Sequence, residues 1–425
     1  VLILIYKNHY TSNMVKNLKN SYFYLIIYTL FTILIIKNFT LGFDVFWHIR
    51  AGEWIAQYQT IPKSAIFTHL PASTQWVSHE WLSEVILYYT FSIFHWNGLL
   101  FIALVCSLAT LLIINNHLAK YTTLNRCIIL ITLSFIMLAP HILPRPHILA
   151  FPFMAFWSSW LLQSVEKKTS PPYILLPLFI VWVNLHASFI IGLVFIVYCG
   201  LNSINAETAK IARIKKLKQW GLFFALTLIC CLITPHGIDT LLFPFHVSSQ
   251  DYALSMIKEW QSPNFHKFTP IELWLLLFLF FSLIKGLKLP FLQLVFIIFM
   301  IHLSLKHNRY VSDLLAILSP MILIPFIEDT FSKKTTTILT KVVPHISRLI
   351  IPSCLSLILI FLALKTTGIP SKQIDIQSKM IETTASFIDK KEYIFNSYSL
   401  GGLLIFHKLT PFVDGRADMY GDKYL

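Results

Sequence analysis

KIARIKKLKQWGLFFALTLICCLI, residues 210–233, is a basic loop that runs straight into an apolar helix. Lys210, Arg213, Lys215, Lys216 and Lys218 fill its first half, and the stretch leading in from Asn205 adds one acid, Glu207. From Trp220 to Ile233 no residue is charged, as expected of a segment lying in hydrocarbon. Short loops rich in Lys and Arg stay on the cytoplasmic side of a membrane. The stretch therefore predicts a membrane span and the side on which it begins.

The same pattern repeats along the chain. Apolar blocks at residues 22–36, 98–114, 127–139, 148–162, 173–183, 187–201, 220–233, 271–284, 290–305, 311–327 and 349–364 predict an all-α polytopic membrane protein with about eleven transmembrane helices. Composition agrees: a soluble domain is about 25% charged, whereas this chain of 425 residues is 13% charged and 56% hydrophobic, with mean hydropathy +0.66. A further apolar helix at 81–94, introduced by His79 and Glu80 and carrying Glu84, is expected to lie along the interface without crossing fully. Lys7, Lys16 and Lys19, the Lys167–Lys168 loop, and the loop with Lys333, Lys334, Lys341 and Arg348 then share the cytoplasmic side with 210–218. The frame puts the N-terminus inside and the C-terminus outside.

A net charge of +14 raises the question of nucleic acid, but the cations sit in short loops between apolar blocks and form no continuous surface. Nucleic acid is therefore not an expected partner; the lipid bilayer is. Cys106, Cys127, Cys199, Cys230, Cys231 and Cys354 all lie in apolar stretches without CxxC or zinc-type spacing, and are expected to be buried thiols. The chain opens on Val1, and residues 1–6 are too short to span or to act as a signal peptide, so the true start is expected upstream.

Within this frame, the polar residues that topology leaves unexplained fall on the outer face. They are Asp44, His48, Arg50, Glu53, His79, Glu80, Arg145, His147, Asn184, His186, His236, Glu259, His307 and Arg309. Ionisable groups at the rim of an apolar bundle are costly and mark candidate sites. The first outer loop, 41–80, is the most readable part. Asp44 and His48 stand at i, i+4 on a short amphipathic helix, where a carboxylate can orient a base or bind a cation. Ser78 is placed to cap the next helix, with His79 and Glu80 in its first turn. Trp47, Trp54, Trp76 and Trp81 are interfacial anchors. An interfacial helix pair with Trp anchors also accounts for this loop without catalysis.

Asp44 soon after the first span, Trp76-Val-Ser-His79-Glu80-Trp81, Arg145-Pro146-His147 and Trp182-Val-Asn184-Leu-His186 form an ordered series. With Ser399-Leu-Gly401-Gly402 and Asp414-Gly415-Arg416-Ala-Asp418-Met-Tyr420-Gly421 near the end, it resembles an uncharacterised prokaryotic branch of the GT-C glycosyltransferases. The resemblance implies an outward-facing enzyme of the bacterial cytoplasmic membrane. Such an enzyme moves a sugar from a polyprenyl-phosphate donor to a glycan, lipid or protein acceptor, usually with inversion. Asp44 matches the first-loop acid, which takes the acceptor's proton or holds a divalent cation, Mg or Mn, near the donor phosphate. His48 and Glu80 are the other catalytic candidates; Glu80 and Glu53 compete for the role of second acid. Arg145, His147, His307 and Arg309 are candidate phosphate partners, because guanidinium forks match phosphate oxygens. Asn184, His186, Asp414 and Arg416 complete the candidate substrate-binding set, with a salt-bridged turn as the other reading of Asp414-Gly415-Arg416.

The chain divides into a membrane domain, 1–365, and an extracytoplasmic segment, 366–425, that reads as incomplete. The segment is expected to be α/β: a helix at 377–388, a strand at 393–395, a break at Gly401-Gly402, and a strand ending at Val413. Two other classes stay open beside the enzyme: a transporter or flippase of a lipid-linked or anionic substrate, and a non-catalytic partner in envelope polysaccharide assembly. Transporters place charges near the midplane and often show related halves; here the charges lie at span ends.

Overall fold

The computed structural model describes residues 22–71, 73–331, 372–385, 387 and 394–424. It is a helical membrane protein. Four helices are long and apolar enough to cross a bilayer: Trp81–Leu118, Leu124–His141, Pro146–Glu166 and Val311–Thr330. Shorter apolar helices stand beside them at Tyr22–Asn38 (α1), Leu175–Leu185, Phe189–Asn205 and Phe291–Lys306. The expected eleven spans are thus not reached by helix length among the described residues, and the apolar block at 349–364 lies outside them. The physical reason is that apolar runs count composition, whereas helix ends are set locally. Asn184 and His186 end one helix after 11 residues, and the helix Pro270–Lys285 is held to 16 by Thr269, whose side chain accepts from the Glu272 N–H, and by Gly286 in the left-handed region at φ 62°.

After α1 come α2 (Asp44–Tyr58), α3 (Trp81–Leu118), α4 (Leu124–Leu138) and α5 (Pro146–Glu166). The predicted interfacial helix is continuous with the next span: α3 runs from Trp81 to Leu118 with a break at His95, where φ is 50° and ψ −144°. Gly98 permits the tight path there, since a Cβ on it would meet Thr90 and Phe94 side-chain carbons at 2.7 and 2.8 Å. α2 crosses α3 at Gly52, where a Cβ would lie 2.0 Å from the Glu84 carbonyl oxygen. That contact sets one turn of α2 directly against the start of α3.

α6 (Leu175–Leu185), α7 (Phe189–Asn205) and α8 (Lys210–Cys230) pack on α5 around Trp157, Trp182, Phe179 and Phe223, all buried. Trp157 lies 4.7 Å from Phe179 and 5.7 Å from Phe223, ring centre to ring centre. At the far end of α5 the Lys216 ammonium donates to the carbonyls of Lys168 and Thr169 at 2.5 and 3.2 Å, so the two basic loops meet. α9 (Ile238–Ser248), α10 (Asp251–Met256), α11 (Pro270–Lys285) and α12 (Phe291–Lys306) follow. A π-helical stretch, Val311–Leu318, then leads into α13 (Ser319–Phe331). The five described cysteines are free, four of them buried; Cys354 lies outside the described residues.

The C-terminal segment is helical, not α/β. α14 (Lys372–Ala385), α15 (Gly401–Phe406) and α16 (Ala417–Tyr424) are joined by irregular chain. Its one described β contact is an isolated bridge between Ile394 and Pro411. Gly401 and Gly402 open a helix where a break was expected, because they serve close approach. A Cβ on Gly401 would lie 2.1 Å from the Val413 carbonyl oxygen, and one on Gly402 2.6 Å from that of Phe43. α15 therefore packs directly on α2.

Candidate functional site

One end of the bundle holds a cavity of about 450 Å³. The start of α2 gives it Asp44, Trp47 and His48; the chain entering α3 gives Ser78, His79, Glu80 and Glu84; Arg145 and His147 come from the start of α5 and His186 from the α6–α7 turn. Glu259, His307 and Arg309 complete one wall, and Tyr398, Gly415 and Asp418 bring the C-terminal segment into another.

Arg145 is placed by its neighbour. The residue before a proline is kept out of helical geometry, and Arg145 is extended, at φ −122° and ψ 165°, ahead of Pro146 at the first helical position. Its side chain leaves the helix end and lies against Gly42, where a Cβ would come within 2.6 Å of the guanidinium. One terminal nitrogen meets Asp44 Oδ2 at 3.1 Å and the other donates to Glu259 Oε1 at 2.5 Å. Burial alone would lower the Arg145 pKa, but the two carboxylates outweigh it and raise it. Burial likewise pushes the Glu259 carboxyl up, yet Arg145, with His147 and Arg309, holds it down at about 2. Arg309 is fixed by its own N–H, which donates to the Glu259 carbonyl at 2.9 Å, and stacks 4.4 Å from the Trp260 ring centre. Asp44 stands in the first turn of α2 without capping it; the N-cap residue is Phe43.

A second cluster surrounds Glu80. Its Oε1 lies 3.4 Å from His186 Nε2 and 3.6 Å from His79 Nε2, and its Oε2 lies 3.9 Å from His48 Nε2. Burial favours the neutral acid, but His79, by charge and hydrogen bond, and then His186 and His48 hold Glu80 well below the usual carboxylate range. His79 is raised in turn: burial lowers it, and Glu80 more than compensates. His186, dominated by burial, drops to about 3 and is a neutral imidazole at pH 7. Glu84 accepts from Ser78 Oγ at 2.9 Å and faces His48 Nδ1 at 3.6 Å.

The remaining candidates are used elsewhere. Asn184 is engaged on both sides: its Oδ1 accepts from the Trp81 indole at 2.7 Å, and its amide donates to the carbonyls of Ile180 and Ile233. It fixes the start of α3 from behind the wall. Asp414 and Arg416 are 0% and 1% exposed, paired to each other at 2.6 Å, and lie beneath the cavity. Glu53 is paired with Arg50 on α2. Sequence reasoning gave no role to Glu259 or Asp418 and took Trp47 for an interfacial anchor. Trp47 lies on the cavity wall, and its indole N–H, buried beside Asp44, has no acceptor among the described residues. Arg145 needs a counter-ion, and Glu259 in an outer loop was the available signal for it.

A divalent cation at Asp44 does not fit this geometry. Asp44 Oδ2 is already turned to Arg145, and among the described residues no three His, Cys, Asp or Glu side chains are placed to hold a metal ion.

Two crystal structures of the Archaeoglobus fulgidus oligosaccharyltransferase are similar to this chain over 93% of its length, each with a TM-score of 0.53. One is the apo form, at 12% identity; the other, at 11%, is tethered through a disulfide bond to an acceptor peptide containing the NVT sequon. The chain spans 64% of that enzyme's length. Neither a protein-family model nor a curated protein matches the chain. At such identity the likeness shows the fold alone: a helical membrane fold similar to that of this oligosaccharyltransferase.

Proposed function

We propose that this chain is a membrane glycosyltransferase of the prokaryotic GT-C type, moving a sugar from a polyprenyl-phosphate donor to an extracytoplasmic glycan, lipid or protein. The observation that carries the reading is one cavity lined both by Asp44, Arg145 and Arg309 and by apolar side chains that include Ile190, Ile191 and Leu303. A lipid-linked phosphate sugar needs both surfaces at once. In the proposed step the acceptor hydroxyl oxygen attacks the anomeric carbon, the bond from that carbon to the phosphate oxygen breaks, and the acceptor proton passes to Asp44. Arg309 and Arg145 meet the phosphate that leaves with the bonding pair. The unpartnered Trp47 N–H is a donor for a substrate oxygen.

The same proposal sets the chain in a bacterial cytoplasmic membrane, its N-terminus inside and its C-terminus outside. What supports the orientation is the basic contact at Lys216 and Lys168, at the end of α5 opposite Arg145, roughly 30 Å away by helical rise. Purified protein reconstituted in right-side-out or inverted vesicles, supplied externally with radiolabelled polyprenyl-phosphate sugar and an acceptor extract, tests both points. Transfer or donor hydrolysis in right-side-out vesicles is expected. Lipid movement without chemistry refutes the enzyme, and transfer in inverted vesicles alone refutes the orientation.

A further inference from the structure

We propose that the Arg145 guanidinium takes the place of a divalent cation in this cavity, so that the chain carries a built-in positive charge between Asp44 and Glu259 and binds no metal there. The inference deepens the reading above and rests on it for its meaning in the reaction, but it is read by metal binding alone.

A hard cation such as Mg²⁺ or Mn²⁺ is held by oxygen ligands, chiefly carboxylates, that converge on one point. The two acids that converge here are Asp44 and Glu259, and the point between them is filled. Arg145 reaches Asp44 Oδ2 at 3.1 Å with one terminal nitrogen and Glu259 Oε1 at 2.5 Å with the other. Its position is built in from three directions: Pro146 holds its backbone extended, Gly42 leaves room for the guanidinium, and Glu259 is fixed by the Arg309 N–H at its carbonyl. A divalent ion would have to displace the guanidinium or sit beside it, with Arg309 a second cation close by. The other acids lining the cavity are Glu80, Glu84, Asp313 and Asp418, and among the described residues no three His, Cys, Asp or Glu side chains are placed to hold a metal ion.

The two kinds of cation differ in chemistry. A guanidinium keeps its charge across the physiological range and presents its remaining N–H groups to a phosphate in a fixed fork. Asp44 Oδ1 stays clear of Arg145, turned toward Gly415, where a Cβ would lie 2.3 Å from it. Lacking that Cβ, Gly415 leaves Asp44 one open oxygen while Arg145 holds the other. Phosphate stabilisation would then be independent of free metal concentration.

The test is Mn²⁺ binding to the purified full chain, followed by electron paramagnetic resonance after chelation and desalting. Wild type is expected to hold no stoichiometric Mn²⁺ up to roughly 1 mM, the weak end for carboxylate sites. Arg145→Ala and Arg145→Gln should each gain one site, which adding Glu259→Gln removes. Arg145→Lys, which keeps the charge, should still refuse the ion. One Mn²⁺ on wild type that Asp44→Asn abolishes would overturn the proposal. So would the absence of a gained site in both neutral variants, provided either elutes as folded protein; if neither folds, the Arg145→Lys and wild-type titrations still decide it. Should no sugar transfer ever be found, these titrations would read the same.

Discussion

Two arginine–carboxylate groups stand at the same end of this molecule and behave differently. In the buried group, Arg416 bonds both oxygens of Asp414, at 2.8 and 2.6 Å. It also donates to the Ile66 carbonyl at 2.7 Å and lies 4.8 Å from the Trp76 ring centre. Tyr420 donates to the same carboxylate at 2.8 Å, and both charged residues are out of reach of water. In the open group, Arg145 bridges Asp44 and Glu259, whose side chains are 30% and 36% exposed. Residue types are nearly the same in the two groups; solvent is not. A charge pair that water cannot reach can only hold structure, and here it ties the C-terminal segment to the first outer loop. A pair that water can reach can also be reached by a substrate.

The largest expected effect breaks the buried group. Arg416→Ala leaves the buried Asp414 carboxyl without its partner and with no water to replace it, which costs about 3–5 kcal/mol. Arg145→Ala frees two carboxylates that solvent can hydrate, so its cost should fall below that of Arg416→Ala. Thermal unfolding of the detergent-solubilised variants measures the contrast. Equal losses of Tm would show that burial does not separate the two groups.

This difference marks where sequence stops being informative. Asp44, Glu80, Arg145 and Arg309 were legible as candidates, because ionisable residues at the ends of apolar blocks have few other reasons to be there. The helices were legible from the same blocks, though not their ends: Asn184 and Gly286 act through local hydrogen bonds and backbone angle. Asp414-Gly415-Arg416 was legible as a salt-bridged turn, and its two flanking charges do pair, at 2.6 Å. Nothing in its order says that Gly415 lies against Asp44. Gly401-Gly402 misled for a related reason, since a glycine pair marks close packing as readily as a break, and only the partner backbone decides. Glu259 went without a role because its pairing with Arg145 joins residues 114 positions apart.

The next effect sharpens the open group. Asp44→Asn keeps the shape of the side chain and its acceptor oxygen, and Asp44 does not cap α2, so the helix has little to lose. The charge that takes the acceptor's proton is gone, and transfer is expected to fall by at least ~100-fold, the lower end for a general base and about 2.7 kcal/mol. His48→Ala should cost less: His48 faces Glu80 and Glu84, so it is not Asp44 that it orients. Near-normal transfer by the Asn variant, measured under the conditions above, would move the base to another cavity acid.

The smallest effect concerns the imidazoles that line the cavity beyond both pairs. Glu80 holds His79 above its usual pKa against the effect of burial. A histidine raised in this way adds stability that is fully present below its unfolded value of about 6.5 and is lost as pH rises through the folded value. Glu80 itself, depressed by its three imidazoles, is ionised throughout the range from pH 6 to pH 8, so it contributes no slope there. His186 and His236, lowered to about 3 and about 4, are neutral in the folded protein over that range. Their pH-dependent penalty is common to wild type and variant and cancels in the difference. Glu80→Gln removes the carboxylate that raises His79, so it should destabilise the protein more at pH 6 than at pH 8. The difference should stay below about 1 kcal/mol, the scale of a single pair near solvent. Unfolding curves for both proteins at the two pH values measure it, and the same loss at each would show that His79 is not charged by Glu80.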